Sequence, residues 1–263
     1  SGDAFATSNT LTVQADKYAD AANIGGYALS ESGDASSTKN ILNYTSSQIV
    51  QGIDTSAISK TLAGGYARIN AASGTLTVAD NTLNLGSASN SAATDIKAKE
   101  YFAGGFGRFS PKDKASITGT LAISNNTANL TNVTLSSTDA KYIVGGGTDA
   151  SAGSASMTGN KVVLNDVTVS GDKIIIAGAF DKTGISGMTA SNNSVTVGAD
   201  SVITNASIYS TYSKNGYYAS ESDGQIQIDG TYKVSASKTA TLAASEVEIS
   251  GELNNAGTLN VTG

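Results

Sequence analysis

Tyr101-Phe102-Ala103-Gly104-Gly105-Phe106, followed by Thr120-Leu-Ala-Ile-Ser-Asn-Asn-Thr-Ala-Asn-Leu130, decides the fold because the chain contains it more than once. The copy before it reads Ala63-Gly64-Gly65-Tyr66, then Thr75-Leu-Thr-Val-Ala-Asp-Asn-Thr-Leu-Asn-Leu85, and six of the eleven later positions are identical. The Gly-Gly-aromatic marker recurs outward from these two as Gly25-Gly26-Tyr27, Gly145-Gly146-Gly147, Gly178-Ala179-Phe180 and, degenerate, Ser210-Thr211-Tyr212. Counted from Gly25, Gly64, Gly104, Gly145, Gly178 and Ser210, the first three intervals are nearly equal and the last two are shorter but match each other. A unit repeated on this scale predicts a solenoid, in which each copy buries its apolar face against its neighbours.

Within a unit the marker leads into a segment of small polar residues and then into strand pairs broken by Asn, Asp, Ser and Gly. The fourth copy shows this as Ser156-Met-Thr-Gly-Asn160-Lys-Val-Val-Leu164, Val167-Thr-Val169 and Lys173-Ile-Ile-Ile176. Apolar residues alternate, and the breaks carry turn chemistry, not helix caps. No amphipathic helix is read. The expectation is one all-β body over residues 1–263, a parallel β-helix (β-solenoid). Its units run about 24–62, 63–102, 103–143, 144–176, 177–208 and 209–240, with a partial unit 241–263. A unit of this length fits about two coils, or one wide coil with an excursion; two coils per unit would give about a dozen rungs and a rod of about 60 Å at roughly 4.8 Å per rung.

Three structural ladders follow from equal spacing. The marker glycines Gly25, Gly26, Gly64, Gly65, Gly104 and Gly105 permit positive φ and close backbone approach, so they would let each coil turn the same corner. The aromatics after them, Tyr27, Tyr66, Phe106, Phe180 and Tyr212, would stack along the rod. Asn40, Asn160 and Asn193 each lie fifteen residues past the first marker residue, with Gln225 in the equivalent place, and stacked amides can hydrogen-bond from rung to rung. These are read as architecture and not as a binding face.

Charged residues make up 14% of the chain, against about a quarter in ordinary soluble proteins. The net charge is −6, which gives no general attraction for phosphate backbones, so no nucleic-acid partner is expected. There is no cysteine, hence no disulfide or thiolate metal site, and no histidine, hence no Ser-His-Asp or Cys-His nucleophile and no His-ligated zinc. The acids Asp139, Asp149, Asp181, Asp223, Glu246 and Glu248 are dispersed, unlike the paired carboxylates of a glycoside hydrolase. No catalytic residue, cofactor or metal is expected. Arg68 and Arg108, the two arginines of the chain, both lie four residues past their marker glycine, with Asp149 in the equivalent place of the next unit; they read as an exposed charge ladder.

Insertions in a solenoid fall in surface loops, where function usually sits. Three stand out: the polar excursion Ser46 to Lys60, the charged Phe109-Ser-Pro-Lys-Asp-Lys114, and the ten residues holding Tyr209, Tyr212, Tyr217 and Tyr218. The tyrosine cluster is the best ligand-binding candidate, because tyrosine supplies contact area with a polar tip at low rotamer cost. Its plainer reading is a wall covering or a coil filling.

The markers, the Asn-punctuated strands and the ending Gly251-Glu-Leu-Asn-Asn-Ala-Gly-Thr-Leu-Asn-Val-Thr-Gly263 resemble the passenger region of bacterial autotransporters, the type V secretion family of Gram-negative surface proteins. The resemblance covers essentially the whole chain. It implies a right-handed parallel β-helix, exported to the cell surface through the outer membrane by a C-terminal barrel and working as an adhesin or other virulence factor. Neither that barrel nor a signal peptide is in this sequence, which is expected to be a passenger segment attached to the membrane only through the missing barrel. The expected partners are a protein or glycan on a host or neighbouring cell, with self-association as a further expectation. A β-helical polysaccharide-degrading enzyme and a purely structural stalk are the alternatives.

Overall fold

The computed structural model describes residues 2–13, 23–45, 61–87, 100–112, 116–214 and 216–263. The excursion Ser46 to Lys60 lies outside these residues, as does the end of the charged insertion at Lys114. Among the described residues there is no helix, and the strands form three sheets of six, eleven and nine strands. The strand pairs are parallel, apart from the hairpin of Ser207–Ser213 with Gly216–Tyr217. Successive strands of one sheet come from successive units, as when Thr61–Ile69 pairs with Tyr101–Phe109 and Lys141–Thr148 with Ile174–Asp181. This is the right-handed parallel β-helix.

Each unit makes one wide coil and not two. The units from Asn23 to Ser170 each give one strand to each sheet, and the continuous path of the nine-stranded sheet holds eight strands from Asn23–Ser30 to Thr258–Thr262. The expected dozen rungs are therefore eight, and at about 4.8 Å per rung the stack is about 40 Å long.

The cross-section has two lobes. Alternate residues of each strand point inward, as the buried-exposed pattern of Thr75–Ala79 shows. In one lobe Leu62, Phe102, Ile143 and Ile176 of the nine-stranded sheet meet Leu83, Ala128, Val162 and Val195 of the eleven-stranded sheet. In the other, Ala67, Ile69 and Phe109 from the far ends of the same long strands meet Leu76, Val78, Leu121, Ile123 and Met157 of the six-stranded sheet.

Between the lobes the walls come together, and this is the work of the marker glycines. A Cβ on Gly65 would stand 2.2 Å from the Asn81 side-chain oxygen, and one on Gly64 would stand 2.3 Å from the Thr82 carbonyl oxygen. None of the marker glycines has positive φ, so the expectation is corrected: they are required by close approach and not by a left-handed corner. The left-handed corner lies on the opposite wall, at Ser8, Lys39, Asp80, Asn125, Gly159 and Asn192, one residue before each waist asparagine. Asp and Asn tolerate this conformation better than most residues, and Gly has no Cβ to oppose it.

The waist asparagines form a continuous chain from Asn9 through Asn40, Asn81, Asn126 and Asn160 to Asn193. Each side-chain amide donates to the Oδ1 of the next, at 2.8 to 3.0 Å. That oxygen also accepts the backbone N–H of the donor, as from Asn81 to Asn126 at 3.1 Å, and the second amide hydrogen bonds a carbonyl of the preceding coil, as from Asn81 to Ser37 at 2.8 Å. From Asn40 to Asn193 these residues are fully buried. Such polar groups are tolerable inside a core only because their donors and acceptors are used. Gln225 is not part of this chain. It pairs with Ser194 on the outer surface, leaving Gly224 across from Asn193.

The second lobe ends inside the molecule. The six-stranded sheet stops at Met188–Ser191, and the coil then contracts. Leu62 pairs with Phe102 in the wide part of the rod, whereas Leu242 pairs with Val261, so the final turn encloses a much shorter stretch of chain.

Candidate functional site

The four tyrosines of the candidate cluster do not share one surface. Tyr209 is buried, 8% exposed, in a row that elsewhere holds Ile24, Ala63, Ala103, Val144, Ala177, Ala243 and Thr262. Tyr212 stacks on Phe180 with centroids 5.3 Å apart, and its hydroxyl donates to the Lys214 carbonyl. Tyr217 lies opposite Tyr212 in the hairpin. Tyr218 turns the other way, packs on the second lobe and donates its hydroxyl to the Met188 carbonyl. Tyr218 is thus a plug over the end of that lobe, while Tyr209, Tyr212 and Tyr217 belong to the aromatic cluster on the other side of the nine-stranded sheet.

Glu221 completes the plug, and it was missed from sequence because it belongs to no repeat. Its Oε1 accepts from the Asn193 amide at 3.1 Å and from the Thr211 hydroxyl at 2.7 Å, while Oε2 accepts from the Ser210 hydroxyl. Ser210 and Thr211 stand where earlier units carry Gly-Gly, so their hydroxyls reach into space that the glycines leave open. Burial raises the Glu221 carboxyl above its ordinary value, opposed by the hydrogen bonds from Ser210, Thr211 and Asn193.

The side of the nine-stranded sheet that faces away from both lobes carries the aromatic row, in which Tyr66, Phe106 and Phe180 are buried and Tyr27 and Tyr212 are partly exposed. Tyr27 meets Tyr66 edge-on at 5.5 Å, and Tyr66 stacks on Phe106 at 5.8 Å. Gly147 interrupts the row between Phe106 and Phe180. Rings from a neighbouring row bridge the gap: Tyr101 lies 4.9 Å from Phe106, Tyr142 lies 4.7 Å from Phe180, and Tyr101 stacks on Tyr142 at 5.1 Å.

Beside the gap stands a charged knot. Arg108 Nη1 binds Asp149 Oδ2 at 3.1 Å, with side chains 27% and 12% exposed, so this pair is part-buried and not the exposed ladder expected from spacing. Arg68 turns aside to Asn70 and Ser110. Lys182 Nζ donates to Glu100 at 2.9 Å and to the Tyr101 hydroxyl at 2.8 Å, and lies over the Tyr142 ring at 5.1 Å. Sequence reasoning missed Lys182, although it lies four residues past Gly178, the offset that picked out Arg68, Arg108 and Asp149. Burial raises the Asp149 carboxyl, opposed by Arg108 and Lys182. Burial also raises the Tyr66 phenol, with Asp149 adding to the shift and Arg108 opposing it.

Where this cluster reaches the surface it shows Tyr142, Arg108 and Lys182, an aromatic ring among paired charges on a chain otherwise dominated by small polar residues. Aromatic residues and arginine are enriched in contact surfaces. No protein-family model, curated protein or solved structure matches the chain.

Proposed function

We propose that the chain is a segment of a β-helical surface rod that presents a binding face to a partner on a host or neighbouring cell, in the manner of an autotransporter adhesin. The observation that carries this reading is the charged and aromatic patch on the nine-stranded sheet where half-buried Tyr142 and Arg108 and exposed Lys182 reach the surface beside Asp149, over the buried ring of Tyr101. The rod spaces these groups at the rung interval, so a ligand meets an array and not a single point. The marker units and the Gly-Glu-Leu-Asn-Asn-Ala-Gly ending, which resemble autotransporter passengers, support the surface location.

The test is a binding screen of the purified chain against cultured host cells, bacterial cells and immobilised surface proteins and glycans. A Tyr142→Ser, Lys182→Gln variant runs alongside it. Replacing Tyr209 or Tyr218 would confuse the result, because both pack against the core. Binding by the wild type that the variant loses, with circular dichroism and melting unchanged, supports the reading. Absence of binding by the wild type would leave a stalk.

A further inference from the structure

The two-lobed cross-section makes a hollow outside as well as a waist within. Where the six-stranded and eleven-stranded sheets meet, Asn126, Asn160 and Asn193 turn inward and are fully buried. The residues before and after them turn outward, so the wall is concave at that corner. Over the coils from Asn125 to Asp223 the concavity is a groove of about 320 Å³, at the lower end of the roughly 300 to 1,000 Å³ of ligand sites.

One bank of the groove is the left-handed corner, with Asn125, Asn192 and Asp223 at φ 54°, 55° and 54°. The other is an outward row of the eleven-stranded sheet, Lys161, Ser194 and Gln225, adjacent in register. Gly159 stands between Asn125 and Asn192 in the corner row, so that bank lacks one side chain. A Cβ on Gly159 would meet the Asn125 side-chain oxygen at 2.5 Å. Asn125, Lys161, Asn192, Asp223 and Gln225 are exposed, so the groove opens to solvent along its length.

The lining decides what fits. None of its described side chains is apolar, so an aromatic or aliphatic ligand gains little by burial there. The charges are mixed: Lys161 opposes a cation, while Asp223, and Glu246 bonded to Gln225 at 3.2 Å, oppose an anion. An extended peptide adds to an open strand edge, but the strands Lys161–Ser170 and Ser194–Val197 are paired on both edges. What the groove offers is hydrogen bonding of both kinds: amides and a hydroxyl that donate and accept, an ammonium that donates and a carboxylate that accepts. Sugar hydroxyls also do both, and two neighbouring ones match the two ends of an amide or carboxylate. These groups recur at every rung, about 4.8 Å, close to the advance of one pyranose ring in an extended glycan.

We infer that this groove binds a neutral glycan chain laid along the rod axis. It lies on the wall opposite the aromatic patch and goes beyond the role proposed for that patch.

The experiment is calorimetric titration of the whole chain with neutral hexose oligosaccharides graded in length from mono- to hexasaccharide. It compares wild type, Gly159→Asn, Asn192→Gly and the patch variant Tyr142→Ser, Lys182→Gln. Asn tolerates the left-handed φ of 67° at position 159, and the end of the Asn125 side chain can move aside, so Gly159→Asn fills the groove and keeps the corner. Asn192→Gly removes one amide without adding bulk and carries the test should Gly159→Asn misfold; circular dichroism checks both. The expected affinity of the wild type rises with chain length and levels off at three or four sugars, because the groove spans three rung intervals, about 14 Å. Gly159→Asn should weaken binding tenfold or more and Asn192→Gly several-fold, with the patch variant unchanged. Binding equal in wild type and both groove variants overturns the site. Binding lost in the patch variant alone assigns the sugar to the aromatic patch, which overturns the groove and leaves the surface role standing. No binding of neutral oligosaccharides by the wild type overturns the groove as well, while the cell and protein screen decides the surface role separately.

Discussion

The amide of Asn193 lies 3.1 Å from the carboxylate of Glu221, and this contact ends a chain of aligned amides that begins at Asn9. Every amide donates toward the C-terminal end, so the last rung has a donor left over where a carboxylate receives it. Replacing Glu221 with Ala strips the partner from the Ser210 and Thr211 hydroxyls and weakens the end of the amide chain. The expected cost is about 2 to 3 kcal/mol in denaturant unfolding. Gln in its place keeps one acceptor and adds one donor, and is expected to cost under about 1 kcal/mol.

The pH dependence follows from the same group. Folding holds the Glu221 and Asp149 pKa values above their ordinary 4.5 and 3.8, so the folded state binds more protons in that window. Stability from these two groups therefore rises as pH falls from neutral through the raised values, and levels off below the ordinary ones. Subtracting the pH profile of Glu221→Gln from that of the wild type isolates one contribution. A difference that grows toward acid, in favour of the wild type, is the expected sign.

Two glycines of the marker strands should behave oppositely. Ala at Gly65 forces a methyl group to 2.2 Å from the Asn81 amide, while Ala at Gly147 meets its nearest neighbour at 3.3 Å. Gly65→Ala is expected to cost more than about 3 kcal/mol and Gly147→Ala less than about 1 kcal/mol. Thermal melting of the pair checks this.

At the plug, Tyr218→Phe loses the bond to the Met188 carbonyl, for about 1 kcal/mol. Tyr218→Ser also opens the end of the second lobe and should cost about 3 kcal/mol or more. Increased hydrogen exchange confined to Met188–Ser191 would locate the damage.

Much of this architecture was legible because repetition converts spacing into position. The offset of four residues brought Arg108 and Asp149 together on paper, and the structure joins them. The same counting failed for the asparagines. Asn81 and Asn126 lie farther from Gly64 and Gly104 than their counterparts do from theirs, displaced by extra residues between marker and corner, so only the three copies at offset fifteen were visible. It also misassigned Gln225, because the chain makes a hairpin before it. The two lobes were hidden for another reason: alternation tells that a strand has an inner face but not which wall that face meets. Glu221 had no repeat to announce it.

The end of the six-stranded sheet has a mechanical consequence. Hydrogen bonds between coils run along the rod axis, so tension between its ends loads them in series. Tyr101–Phe109 and Thr61–Ile69 share eight paired positions, but Ser207–Ser213 and Thr239–Ala243 share two, and at that rung the amide chain has already stopped. Pulled lengthwise, the molecule parts first between Ser207–Ser213 and Thr239–Ala243, and the coils bearing the aromatic face stay whole on the N-terminal side of the break.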